Sequence, residues 1–224
     1  MWRDALLVAG KDLRIEVRSR VGLNQVVPFA VMVLVLFAFA LDPDRDVLVR
    51  AAAGLFWVAV LLATLLAVQR SAGLESGEGM ADALRLSGLD PAGIFLGKAA
   101  AVAVQLVVLE IVLGVGVVVL YGVDLDGVGT LAVTAVAATI GLAASGTLYG
   151  VLAGGLRIRE TLLPLLLLPV VAPVLIAATR ASETALGGLA VDVTPGDWLA
   201  LLGVFAVVYL GFGVVAYGTL LEES

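Results

Sequence analysis

The run AAAVAVQLVVLEIVLGVGVVVLYGV, Ala99 to Val123, carries one charged side chain, Glu110, in 25 residues. A helix needs about 20 apolar residues to cross about 30 Å of hydrocarbon, so this run is long enough to span a bilayer. It is read as a helix because hydrocarbon offers the backbone no water to bond, and because the alternating pattern of barrel strands is absent. Five more runs are free or nearly free of charge: Val21–Leu41, Ala51–Val68, Gly127–Leu156, Thr161–Thr179 and Trp198–Leu221. The whole chain follows the same rule, with 62% hydrophobic residues, 14% charged residues and a mean hydropathy of +1.13. These values predict an all-α membrane protein of six transmembrane helices, in which residues 1–224 form a single transmembrane domain. The first residues do not fit a cleaved signal peptide, because ALLVAG between Asp4 and Lys11 is too short for its apolar segment.

The chain has neither Cys nor His. Disulfides, thiolate or imidazole metal ligands and a Ser-His-Asp triad are therefore excluded within it, and no catalytic, cofactor-binding or metal-binding residue is assigned. The net charge of −6 resides almost wholly in the connections, and no nucleic-acid-binding patch is present. Arg3, Lys11, Arg14, Arg18, Arg20, Arg70, Arg85, Lys98, Arg157 and Arg159 fall in the N-terminal tail and the even-numbered connections, against Arg45, Arg50 and Arg180 in the odd-numbered ones. The positive-inside rule then predicts that both termini are cytoplasmic.

Residues 1–20 are predicted to form an amphipathic interfacial helix. At about 100° per residue Trp2, Ala5, Leu6, Ala9, Leu13 and Val17 share one face, while Arg3, Lys11, Arg14 and Arg18 share another. Such a helix either serves topology and membrane lipids alone or clamps a cytoplasmic partner.

The one long cytoplasmic connection, residues 69–98, has acids at Glu75, Glu78 and Asp82 among Leu74, Met80, Leu84 and Leu86, with breaks at Gly79 and Ser87-Gly88. It reads either as a solvated loop or as a docking elbow. Its end, LDPAGIFLGK, nearly spells a phosphate-binding loop, but Gly93 and Gly97 enclose three residues instead of four and Ala99 stands where Ser or Thr would hold Mg²⁺. Asp90 is instead predicted to cap the third span, with Pro91 in its first turn, the glycines admitting a close helix neighbour and Lys98 snorkelling to the cytoplasmic rim.

Three features lie within the spans. Gly146, Gly150 and Gly154 form a small-residue stripe that packs either within the chain or against a second copy. Pro164, Pro169 and Pro173 should kink the fifth span. Glu110 is an expensive residue at mid-membrane, either functional or a hydrogen-bonded structural acid.

The acidic elbow around Gly79, the segment LRLSGLDPAGIFLGK and the proline-rich LLPLLLLPVVAPVLIAATRA together resemble the CcmB family, the permease subunit of the haem exporter in cytochrome c maturation. Gly88 stands where that family more often has Pro. The resemblance implies a non-enzymatic transmembrane half of the ABC-2 (type V) kind in the bacterial cytoplasmic membrane. It would pair with a second copy of itself, a CcmA-like ATPase that binds ATP, and CcmC-like and CcmD-like haem-handling subunits. Leu74, Glu75, Glu78, Gly79, Asp82, Leu84 and Leu86 would then form the coupling elbow seated on the ATPase. No cofactor would be bound by this chain alone, haem being the substrate of the complex. A general ABC-2 permease for a lipid, glycan or drug is the alternative. A secondary transporter fits less well, since it calls for more intramembrane ionisable residues and an internal repeat.

Overall fold

A computed structural model describes residues 1–20, 22–41, 45–75, 88–125, 127–154, 159–186 and 195–223. Among these residues the chain is helical: α1 (Trp2–Ser19), α2 (Val27–Ala40), α3 (Arg45–Glu75), α4 (Pro91–Tyr121), α5 (Val128–Gly154), α6 (Arg159–Glu183) and α7 (Pro195–Glu223), with a π-helical turn at Gly22–Val26 and a 3-10 turn at Thr184–Leu186. Helices α3 to α7 are each long and apolar enough to cross a membrane. The bent pair of α1 and α2, angled by 55°, supplies a sixth span if counted as one. This is an all-α multi-pass membrane protein.

The first expected span is the shortest: α2 has 14 residues, preceded by the π-helical turn. Arg20 separates it from α1. Its φ of 52° places it in the left-handed region, where it closes α1 by donating its backbone N–H to the Glu16 carbonyl. By contrast, α3 and α4 have 31 residues each, about 46 Å at 1.5 Å per residue, and extend past the hydrocarbon thickness. Helix α3 continues through Gln69–Glu75, beyond the uncharged run that marks its span. Helix α6 runs through Pro164, Pro169 and Pro173, each of which lacks the N–H that would reach the preceding turn.

Helix α5 is the centre of the bundle and packs against α3, α4, α6 and α7. Its segment GLAASGTLYG, residues 141–150, is buried at every position but Tyr149. Its glycines admit the closest neighbours. A Cβ on Gly141 would meet Phe205 Cδ1 at 2.9 Å, and one on Gly146 would meet Val68 Cγ2 at 2.5 Å. Polar side chains tie the periphery to this core. The Trp57 indole donates to Ser182 Oγ (3.0 Å), joining α3 to α6, and the Tyr121 hydroxyl donates to the Leu34 carbonyl (3.0 Å), joining α4 to α2.

Helix α1 does not lie apart on the membrane surface but packs along the start of α4. The crossing is made at Gly93 and Gly97, where a Cβ would stand 2.7 Å from the Met1 carbonyl oxygen and 2.6 Å from that of Ala5. The substitution Gly97→Val should therefore lever α1 away, at about 1–3 kcal/mol of overpacking. In that background a cysteine replacing Val8, which is buried against α4, should become reactive to a membrane-impermeant thiol reagent. A cysteine replacing Leu142 should stay protected. An unreactive Val8→Cys would show that the crossing tolerates the added bulk.

Candidate functional site

Inter-helix ion pairs join α1 to the start of α4 and to the end of α3. The entry to α4 is built as its sequence predicts. Asp90 is extended (φ −65°, ψ 123°), its Oδ1 accepts from the Ala92 N–H at 3.1 Å, and Pro91 occupies the first turn. Gly88, two residues earlier, has φ of 70°, a conformation closed to Pro, which is locked near −65°. The Asp90 backbone N–H also donates to Asp4 Oδ2 of α1 (3.3 Å), and this bond holds the Asp4 carboxyl below its ordinary value. The latch so formed is complete above the carboxylate range and is lost as pH falls through it.

Two turns further along, Lys98 is 3% exposed and faces Asp12, with Nζ 3.8 Å from Oδ2. This corrects the expected snorkelling. Helix α1 covers the route to water through the Gly93 and Gly97 crossing, so the ammonium is matched by a carboxylate from α1 instead of by solvent. A second pair joins α1 to α3: Arg70 Nη2 lies 3.3 Å from Glu16 Oε2 and donates to Ser19 Oγ at 2.5 Å. Between the pairs is a cleft of about 180 Å³ whose lining includes Ser71 and Gln105.

Neither pair was anticipated, yet α1 contains the signal. Asp12 and Glu16, four residues apart, fall beside its apolar stripe and not among Arg3, Lys11, Arg14 and Arg18. The apolar face itself divides. Ala5 and its neighbour Val8 are buried in the protein, whereas Trp2, Leu6 and Val17 are 71%, 75% and 74% exposed.

The intramembrane acid Glu110 is 6% exposed and accepts a 2.7 Å hydrogen bond from the Thr139 hydroxyl, linking α4 to α5. Gly146 and Gly150 face Val68, and Gly150 also Ala72, both on α3 of the same chain, while Gly154 is the last residue of α5. Leu74 and Glu75 end α3; Glu78, Gly79, Asp82, Leu84 and Leu86 lie outside the described residues. Among the described residues no group of three or more His, Cys, Asp or Glu is placed to hold a metal ion.

Five long apolar helices and a bent α1–α2 pair, with α1 tied by ion pairs to the end of α3 and the start of α4, define a polytopic α-helical membrane protein. Residues 3–224 match the family described as CcmB protein, and the chain belongs to that family. It is 32% identical over 206 residues to heme exporter protein B of Escherichia coli K12, an alignment covering 86% of each chain. It is 30% identical over 210 residues to heme exporter protein B of Bradyrhizobium diazoefficiens, covering 92% of this chain and 93% of the relative. The corresponding Rhodobacter capsulatus protein is 29% identical over 183 residues, covering 82% and 84%.

The buried pair yields a double-mutant prediction. Asp12→Asn leaves the buried Lys98 ammonium with a weaker partner and should cost up to about 3 kcal/mol in mixed-micelle unfolding. Adding Lys98→Met should recover a large part of that loss. Additive losses would mean that the two side chains do not interact.

Proposed function

We propose that this chain is the membrane permease subunit of an ABC transporter that handles haem for c-type cytochrome maturation in the bacterial cytoplasmic membrane. The observation that carries the reading is the match to the CcmB family over residues 3–224, joined by relatives named heme exporter protein B. ATP would be hydrolysed by a separate, CcmA-like subunit, in keeping with the lack of a phosphate-binding loop in this sequence. CcmC-like and CcmD-like subunits and a second copy of the chain complete the proposed complex. With no His or Cys to serve as an axial ligand, haem contact through imidazole or thiolate falls to those partners.

The elbow from Leu74 to Leu86 is the proposed seat of the ATPase, with both termini on the same, cytoplasmic side. The arrangement behind it favours transmission of force. The segment leads within a few residues to the Asp90 cap, and from there α4 is pressed against α1 at Gly93 and Gly97 and bonded to it through Asp4. Displacement of the elbow thus bears on a packed pair of helices and not on a free loop.

Deleting the gene should abolish c-type cytochromes and spare b-type ones; persistence of the c-type would sink the assignment. Glu75→Arg combined with Glu78→Arg should weaken co-purification of the ATPase and lower c-type cytochrome content at normal protein level. Normal values of both would return these acids to an ordinary solvated loop. For orientation, a single cysteine at position 44 should react with an impermeant reagent in intact cells, whereas one at position 76 should not. The reverse pattern would overturn the topology.

A further inference from the structure

A second cavity, of about 210 Å³, lies beside the charged cleft between α1, the start of α2, α3 and α4. Leu13 and Val17, Val27, Ala67, and Val104 and Val108 form its walls. Its polar lining consists of Glu16, Arg70 and Gln105. Walls of this kind give water too few partners to fill it. The cavity is an elongated slot. Ala63 and Arg70 both line it from α3, two turns or about 10 Å apart along the axis, with Arg70 toward the α1 crossing and Ala63 deeper in the span. It is also open toward lipid on the α1 side, because Val17 both lines it and is 74% exposed in the same stripe as Trp2 and Leu6.

Arg70 is poised at the shallow end. Glu16 and Ser19 engage Nη2, while Nη1 is buried with no hydrogen-bond partner. The guanidinium is thus fixed in place with donor capacity left over, and its side chain is still 20% exposed. An oxyanion such as phosphate matches that fork. The surrounding charge has the right sign. Asp12 pairs with Lys98 and Lys11 and Glu16 with Arg70, whereas Arg14 and Arg18 on the same helix and Arg20 at its end are exposed.

We infer that this slot holds one acyl chain of an anionic phospholipid from the leaflet on the basic side, with the lipid phosphate on Arg70. The acyl chain covers Leu13, Val17 and Val104, and the headgroup phosphate meets the exposed fifth of the Arg70 side chain. The site requires the interfacial helix, which contributes a wall of the slot and, through Glu16, the partner that orients Arg70.

The test is native mass spectrometry of the whole chain released from mild detergent and titrated with phosphatidylglycerol and with phosphatidylcholine of the same acyl chains. One phosphatidylglycerol should be retained about tenfold more tightly than phosphatidylcholine, whose phosphate can also reach Arg70 but whose choline cation is repelled by Arg70 and the exposed Arg14 and Arg18. Arg70→Gln should erase that preference, and Arg70→Lys should keep part of it. Val104→Trp, which fills the slot from a half-exposed wall, should lower retention of both lipids. Val119→Trp, on the lipid-facing surface near the other end of α4, should change neither. Thermal stabilisation by phosphatidylglycerol, measured for each variant, separates loss of the site from loss of the fold. Equal retention of the two lipids by the parent chain, unchanged retention in both Arg70→Gln and Val104→Trp, or a slot occupied only by detergent, free fatty acid or a co-purifying peptide would each overturn the assignment.

Discussion

Hydrocarbon gives one apolar helix no reason to prefer another over lipid, so association must come from close approach and from the few hydrogen bonds the spans can make. The build of this protein follows from that constraint. Helix α5 occupies the middle because Gly141, Ala143, Ala144, Ser145, Gly146 and Gly150 leave room for four neighbours. Where a larger side chain enters, its counterpart is reduced to glycine: Phe95 packs onto Gly213, Phe205 onto Gly141 and Val68 onto Gly146. The hydrogen bonds from Trp57, Tyr121 and Thr139 then join specific helices with a direction that packing alone lacks.

The same constraint explains the sorting of charge. In the described part of the spans charged groups are either near the ends or matched, as Glu110 is by Thr139 and Lys98 by Asp12. Helix α1 sorts its side chains three ways: Ala5, Val8, Asp12 and Glu16 toward protein, Trp2, Leu6 and Val17 toward lipid, and Arg3, Arg14 and Arg18 toward headgroups and water. A two-faced amphipathic helix would merely float at the surface. The third face makes α1 part of the bundle.

Much of this was legible in the sequence because it depends on local composition. Runs such as Ala99–Val123 dictate spans whatever their neighbours, and Asp90-Pro91 marks the start of α4 through the needs of the first helical turn. Gly93 and Gly97 announced a close neighbour without naming it. What composition alone did not convey was the identity of that neighbour, and the misreading of Lys98 followed directly. A lysine at the edge of a span reaches for water unless another element covers it, and the covering element here lies about 80 positions earlier in the chain. Thr139 as the partner of Glu110 is hidden for the same reason. The elbow acids have a sequence pattern, but the case for their role is carried by the family.

That separation along the chain has a consequence for biosynthesis. At roughly 5–20 residues per second, the stretch between the end of α1 and Lys98 takes several seconds to synthesise. For that interval α1 exists without Gly93, Gly97, Arg70 or Lys98, and Asp12 and Glu16 have no cations from the later spans to meet. The nascent helix must wait on the membrane surface, held by Trp2, Leu6 and Val17, until the third hydrophobic segment leaves the translocon. Docking of α1 is therefore late relative to its own synthesis, since it needs α3 and α4 in place side by side.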